Sequence, residues 1–406
     1  MQNEKFSIIG WVDKRFPLTK LIREHATEYY ASKNFNIWYG FGVLAFVVLI
    51  LQIFTGIFLT MSYKPSAADA FASVEYIMRD VDWGWLMRYL HSTGASAFFI
   101  VVYLHMFRAM LYGSYKKPRE LVWLIGMLIY ICLMAEGFFG YLLPWGNMSY
   151  WGAQVIVSLF GAVPYFGEGL AEWIRGDFYI SDITLNRFFA FHVIAVPIML
   201  LLLVVVHIMA LHEVGSNNPD GIEIKELKDI DGKPLDGVAF HPFHTSKDLV
   251  IIIGFLILFS AVVFFAPEMG GYFLEHANFE PANSLQTPEH ITPVWYFTPF
   301  YAMLRAVPSK VGGAGLMGLA ILLPIFLPWL DRCKVKSIRY RGVVYKFALF
   351  LFAISFLALG YLGLQPATDI YTQLARFFSV IYILFFVLMP IYTKNEKTKD
   401  VPERVT

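Results

Sequence analysis

Four histidines interrupt two long apolar runs: His91 and His105 in one, His192 and His207 in the other. Separations of 14 and 15 residues space each pair by roughly 21–22 Å along a helix, with angular offsets of about −40° and +60°. Each run therefore presents one imidazole near either face of a membrane. An imidazole at lipid depth without a partner is costly, so two matched pairs point to something bound between the helices. Two helices giving one histidine each, at two levels, make two bis-histidine sites stacked across a bilayer, and two haems satisfy that geometry. Polar bonding between helices or a proton relay is the competing use of such residues, and it does not require pairing at two heights.

The 406 residues are 57% hydrophobic and 16% charged, with several apolar stretches near the length needed to cross hydrocarbon. The expected class is an all-α integral membrane protein with eight spans, about 37–61, 84–112, 121–142, 187–212, 248–267, 315–332, 344–363 and 375–392, the first four forming a di-haem four-helix bundle. An even number of spans puts both termini on one side. Lysine and arginine collect in the N-terminal arm (Lys5, Lys14, Arg15, Lys20, Arg23, Lys33), at 116–119, 225–247 and 332–346, and in the tail. The alternate segment 267–300 holds Glu268, Glu275, Glu280 and Glu289 and no basic residue. Both termini are therefore expected in the cytoplasm of a bacterial inner membrane.

No short apolar core precedes a small-residue cleavage site in the first 36 residues, so the expectation is that no signal peptide is removed. With only Cys132 and Cys333, the chain has neither a Cys-x-x-Cys-His for covalent haem nor four cysteines for an iron–sulfur cluster. Any haem is held non-covalently. Nothing in the charge pattern points to nucleic acid; the expected surroundings are membrane lipid.

The polar stretch 216–247 divides a four-span half from a second four-span half. The expected organisation is a cytoplasmic arm (1–36), the di-haem bundle with periplasmic interfacial helices (37–215), the cytoplasmic loop (216–247), a C-terminal four-helix domain (248–392) and a tail (393–406). Residues 143–186, with Val155–Phe160 and Val163–Phe166, and residues 286–308, with Trp295–Leu304, are long and apolar enough to form short helices at the membrane surface.

Gly42 and Gly56 in the first span and Gly126 and Gly140 in the third repeat the interval of 14. Glycine lets another surface approach a membrane helix closely, here a porphyrin at each histidine level, with ordinary helix packing as the alternative. Arg88 and Arg108 each lie three residues from a histidine, placed to pair with haem propionates unless they only extend to the interface.

The segments Trp85–His91, Leu142–Ala153 (LLPWGNMSYWGA), His212–Pro219 (HEVGSNNP) and Pro293–Tyr296 (PVWY) resemble cytochrome b of the quinol:cytochrome c oxidoreductase, the respiratory complex III, along nearly the whole chain. The resemblance implies a homodimeric complex with a Rieske iron–sulfur protein and a membrane-anchored cytochrome c subunit. It implies two b-type haems, low-potential on His91 and His192 near the periplasm and high-potential on His105 and His207 near the cytoplasm. It further implies oxidation of a quinol, with ubiquinone/ubiquinol as substrate, in a pocket framed by Tyr150, Gly152, Ala153, Pro293, Val294, Trp295 and Tyr296, with Tyr296 among the catalytic residues. One electron goes to the iron–sulfur protein and the other through both haems to a quinone-reducing site at His212, Ser216, Asn217 and Asp248. From the residues alone His212 and Asp248 could equally be ordinary interfacial polar groups.

Two features depart from the family pattern. Most relatives have Pro-Glu-Trp-Tyr, the glutamate being thought to accept a quinol proton; here it is Val294, which cannot titrate. The candidates for that role are Glu136, the one carboxylate deep within a span and four residues before Gly140, and Glu289 with His290 just upstream of the motif. Glu136 is the preferred substitute, so E136Q is expected to lower turnover with both haems bound. The second departure is the 15-residue interval in the fourth span, one longer than in the mitochondrial type, with Pro197 nearby to bend the helix and absorb a residue. His241 and His244 suit a solvated loop better than a metal site, and His25 and His276 receive no role. A secondary transporter would need charged or broken helices at the midplane, and a haem-bearing anchor subunit would leave the C-terminal half without a purpose.

Overall fold

The computed structural model describes residues 7–23 and 27–406; Lys5 and His25 lie outside the described residues. Eight helices among the described residues are long and apolar enough to cross a membrane: Ile37–Thr60, Gly84–Tyr112, Glu120–Leu142, Asp182–Val214, Phe240–Phe265, Lys310–Leu330, Val343–Leu364 and Asp369–Val387. These are the first to eighth spans below. The chain is an integral membrane protein. Local chemistry sets the ends. Ser309 and Thr368 accept the backbone N–H groups of Gly312 and Tyr371, which starts the sixth and eighth spans earlier than hydropathy alone suggests. The second span stops at Gly113 and the fourth at Gly215, both at positive φ (64° and 79°), where a left-handed residue turns the chain away.

Contacts place the connections on two faces. On the face carrying the N-terminal arm, Tyr30–Ser32 pairs antiparallel with Gly237–Ala239. Lys116 and Arg341 both reach Asp331 at 2.8 Å, Tyr115 donates to the same carboxylate at 2.6 Å, and Arg119 grips Glu223 through two hydrogen bonds of 2.7 and 2.8 Å. These buried pairs join the loops after the second, fourth and sixth spans, as an even number of crossings requires.

The opposite face carries the short helices. Asn147–Phe160 and Gly167–Arg175 form in the segment expected to lie along the surface, although Val163–Phe166 is the turn between them. Trp295–Phe297 makes a 3₁₀ turn leading into Thr298–Ala306. A further helix, Ala70–Arg79, follows the first span where the sequence reading has none. The fifth span is entered through Phe240–His244, kinked at His241 where the backbone is extended (φ −97°, ψ 131°), ahead of Thr245–Phe265. His244 is consequently buried among Phe35, Phe240 and Phe243, which corrects the expectation of a solvated loop; His241 is exposed.

The second span is the seam between the halves. Phe99 stacks on Tyr296 with ring centres 3.8 Å apart, Ser96 accepts from the Trp295 indole at 3.0 Å, and Tyr103 donates to the Tyr296 carbonyl at 2.6 Å. The C-terminal half thus presses Pro293–Phe297 against the bundle.

The tail is fastened to the polar loop. Asp236 binds Lys33 at 3.0 Å and Arg404 at 2.7 Å and accepts the Val405 amide at 3.1 Å. Hydrogen bonds to Arg404, then to Lys33 and Val405, outweigh burial and hold its carboxyl below the usual carboxylate range. Asp236→Ala removes a charge-assisted bond to that amide, so exchange in the tail segment 404–406 should rise about tenfold while the eighth span stays protected, as read by hydrogen-exchange mass spectrometry.

Candidate functional site

The histidines pair across helices. The ring centres of His91 and His192 are 6.0 Å apart, and those of His105 and His207 are 6.5 Å apart. Metal–imidazole bonds of about 2 Å on either side of one ion, plus roughly 1 Å from each nitrogen to its ring centre, require about 6 Å. Both pairs therefore fit an iron held between them. At the His91 pair, outer hydrogen bonds also settle which nitrogen faces inward. Thr55 Oγ1 donates to the Leu51 carbonyl at 2.7 Å and lies 2.9 Å from His91 Nδ1, so it can accept the Nδ1 proton. His192 Nδ1 lies 3.1 Å from the Glu136 carbonyl, which can only accept. In both rings the lone pair is left on Nε2, the arrangement that a second shell imposes on a ligating histidine.

The fourth span reaches this alignment through its backbone. Phe191–Ala195 is a π-helical turn in which the Val196 N–H bonds to the Phe191 carbonyl. A wider turn takes up one residue, so the 15-residue interval returns His192 and His207 to one side of the helix. Pro197, two residues beyond the turn, has no N–H to hold the tighter ladder.

Each of the four glycines backs one histidine. A Cβ on Gly42 would lie 3.4 Å from His105 Cε1, on Gly56 3.2 Å from His91, on Gly126 3.2 Å from His207 and on Gly140 2.4 Å from His192. The repeat of 14 thus clears space for the imidazole rings, between which a porphyrin would fit. Arg88 lines the cavity at His91 together with Gln52, Gly140 and Glu136. Arg108 lies over the Tyr39 ring at 4.4 Å and donates to Ser114 at 3.3 Å, and its Nε is buried without a partner. An unpaired guanidinium nitrogen at this depth suits an anionic propionate.

Family models match the chain on both sides of its polar loop: "Cytochrome b/b6/petB" over residues 26–215 and "Cytochrome b(C-terminal)/b6/petD" over residues 281–383. The chain is 62% identical to a cytochrome b of Allochromatium vinosum, with all of each chain covered. It is 46% identical to that of Rhodospirillum rubrum, covering 98% of this chain and 96% of the other. A solved chain from a hyperthermophilic respiratory complex III superposes with a TM-score of 0.89 at 40% identity, covering 95% of this chain and 98% of that one.

The chain belongs to the cytochrome b family.

A second cavity, of about 630 Å³, lies across the third span from the cavity at His91. The segment 293–297 and the third span form the partition. Pro293, Phe297, Met134, Ala135 and Phe138 face the second cavity together with Gly152, whereas Val294, Tyr296, Glu136 and Gly137 face the haem cavity. Tyr150 and Ala153 are buried on the same helix as Gly152, with Tyr150 edge-on to Trp145 at 5.5 Å. Glu289 is exposed at the surface. Glu136 sits on the haem side, its Oε1 3.1 Å from His192 Nδ1. On the other face His212 stacks on Tyr29 of the N-terminal arm, ring centres 4.5 Å apart. Asn217 is buried and donates to the Tyr112 carbonyl at 2.6 Å, with its own Oδ1 unpartnered. Ser216, next to Asn217 in the chain, and Asp248, in the first turn of Thr245–Phe265, are half-buried. Thr55, Tyr29, Tyr141 and Glu275 were not singled out as site residues, because threonine, tyrosine and loop glutamate carry no spacing that marks them.

The four glycine clearances differ, which yields a graded test. Gly140→Ala drives a methyl into the His192 ring and should strip most of the haem held with His91, while Gly42→Ala, already at van der Waals distance, should leave the other haem in place. Reduced-minus-oxidised spectra of the purified variants report each haem.

Proposed function

We propose that this chain is the di-haem cytochrome b subunit of a proton-translocating quinol:cytochrome c oxidoreductase of a bacterial inner membrane, with both termini cytoplasmic. Its assembly is a homodimeric complex with a Rieske iron–sulfur protein and a cytochrome c subunit. The observation that carries the reading is the pair of imidazole couples, each separated by about 6 Å at two levels of one bundle, with an apolar cavity beside the couple on the short-helix face.

When bound, the haems supply one-electron transfer across the bilayer, so one electron of each quinol can reach the quinone-reducing side while the other leaves to the iron–sulfur partner. His91 with His192 would hold the low-potential haem on the periplasmic side, and His105 with His207 the high-potential haem on the cytoplasmic side. The cavity walls Phe138, Phe297 and Phe300 present apolar surface to a ubiquinol ring and exclude water from it. Tyr296 is fixed by its stack on Phe99. Burial, then the nearby Glu275 carboxylate, raises its pKa, so it serves as a neutral hydroxyl. Glu136 touches the His192 ring through both its carbonyl and its carboxyl, and its proposed part is to orient that ligand. His212, Ser216, Asn217 and Asp248 are proposed to receive quinone on the cytoplasmic face, with Tyr29 stacked against His212.

Quinol-dependent reduction of added cytochrome c by the purified complex tests this. His91→Ala and His207→Ala should each abolish it, each with loss of one of two b-type haems resolved in a redox titration. A complex that holds both haems and passes no electrons from quinol to cytochrome c refutes the proposal.

A further inference from the structure

We propose that Glu275 is the carboxylate that accepts a quinol proton at the periplasmic-side cavity, the task left open by Val294; this rests on the quinol-oxidising function above. Three observations converge on it. Tyr141 spans the partition: its ring edge lies 3.8 Å from where a Cβ on Gly152 would stand, in the wall of the quinol cavity, and its hydroxyl donates to Glu275 Oε2 at 2.9 Å. Leu274 and Asn278, on either side of Glu275 in the chain, line the cavity at His91, so the loop lies on the Val294 and Tyr296 side of the partition that Tyr141 crosses. The loop is pinned in that position: Asn278 Oδ1 accepts the Ser149 amide at 2.9 Å, the Asn147 amide donates to the Glu280 carbonyl at 2.9 Å, and the Ala282 amide donates to the Trp145 carbonyl at 2.9 Å.

The residue is partly buried, and its carboxyl rests against the Tyr141 hydroxyl. Its facing titratable groups are Tyr141 from the third span and Tyr296 from the segment beyond the fifth, and no salt bridge holds it among the described residues. Burial pushes its carboxyl up to about 7, against the hydrogen bond from Tyr141. A base so poised takes a proton from a quinol hydroxyl near neutral pH and returns it to solvent.

The step balances as follows. A quinol losing two electrons becomes a quinone and releases two protons. One electron goes to the iron–sulfur partner and one to the haem side. One proton leaves with the electron bound for the partner; the other passes to the Glu275 carboxylate, which becomes a carboxylic acid and then delivers it to periplasmic water.

In the intact complex, E275Q should lower kcat for quinol-dependent cytochrome c reduction about a hundredfold with KM and both haems retained. Adding Val294→Glu to the same chain should restore most of the loss. In the unaltered complex kcat should fall as pH drops through about 7, because protonation removes the acceptor, and E275Q should lack that limb. Wild-type kcat in E275Q overturns the proposal. So does a flat profile of the unaltered complex between about pH 5.5 and 8, a measurement that does not depend on assembly of any variant. A wild-type complex with two haems and no quinol oxidation at any pH refutes the function itself and not the residue.

Discussion

Separations of 6.0 and 6.5 Å between paired imidazole rings dictate much of how the first four spans are built. Neutral rings with one free nitrogen each are tolerable at lipid depth only when that nitrogen has a partner. Holding two of them one ion apart requires the helices behind them to give way, and each does so at a glycine. The first span yields to the second at Gly56 and Gly42, and the third yields to the fourth at Gly140 and Gly126. Gly140 is the tightest of these, beside the π-helical turn that re-aims His192.

The second span couples this bundle to the other half. It carries His91 and His105, and its remaining surface is used by Ser96, Phe99 and Tyr103 to hold Trp295 and Tyr296. One rigid helix therefore sets the distance between the paired histidines and the partition that divides the cavity at His91 from the second cavity. Flat stacking of Phe99 on Tyr296 contributes on the order of 1 kcal/mol beyond area burial. Phe99 also lines the cavity at His91, so its substitution acts on stability and on that cavity together.

Much of this is legible in the sequence because lipid leaves few alternatives. Spans follow from apolar length, the histidine pairs from matched intervals, and the clearances from a repeated glycine spacing. Less legible is what depends on a few backbone hydrogen bonds. The π-helical turn at Phe191–Ala195 is foreshadowed by Pro197 and the longer interval, but its position is not. The glycines read as porphyrin clearance, and the structure shows that they first clear the ligand rings, because helix pairing decides which surface each glycine meets. His244 looks solvated in a polar loop and is buried, since Phe35 of the arm folds over it. Glu136 is well placed by depth and helical face, yet neither reveals that its Oε1 lies 3.1 Å from His192 Nδ1 while Oε2 is buried without a partner.

Glu275 is the plainest case of chemistry hidden from linear pattern. It lies 19 residues before Val294, in an acidic stretch where Glu268 is half-buried like it and Glu280 and Glu289 are exposed. Composition gives no reason to separate it from them. Three-dimensional anchoring does: Asn278 and the Asn147 turn draw this part of the loop onto the start of the surface helix, and Tyr141 supplies a hydrogen bond from within the bundle. A proton acceptor needs an address in space and an altered affinity, and either can be met from any stretch of chain that folds there. A short motif at 293–296 can therefore lose its carboxylate without the pocket losing one, provided a neighbouring loop is held firmly enough to present another.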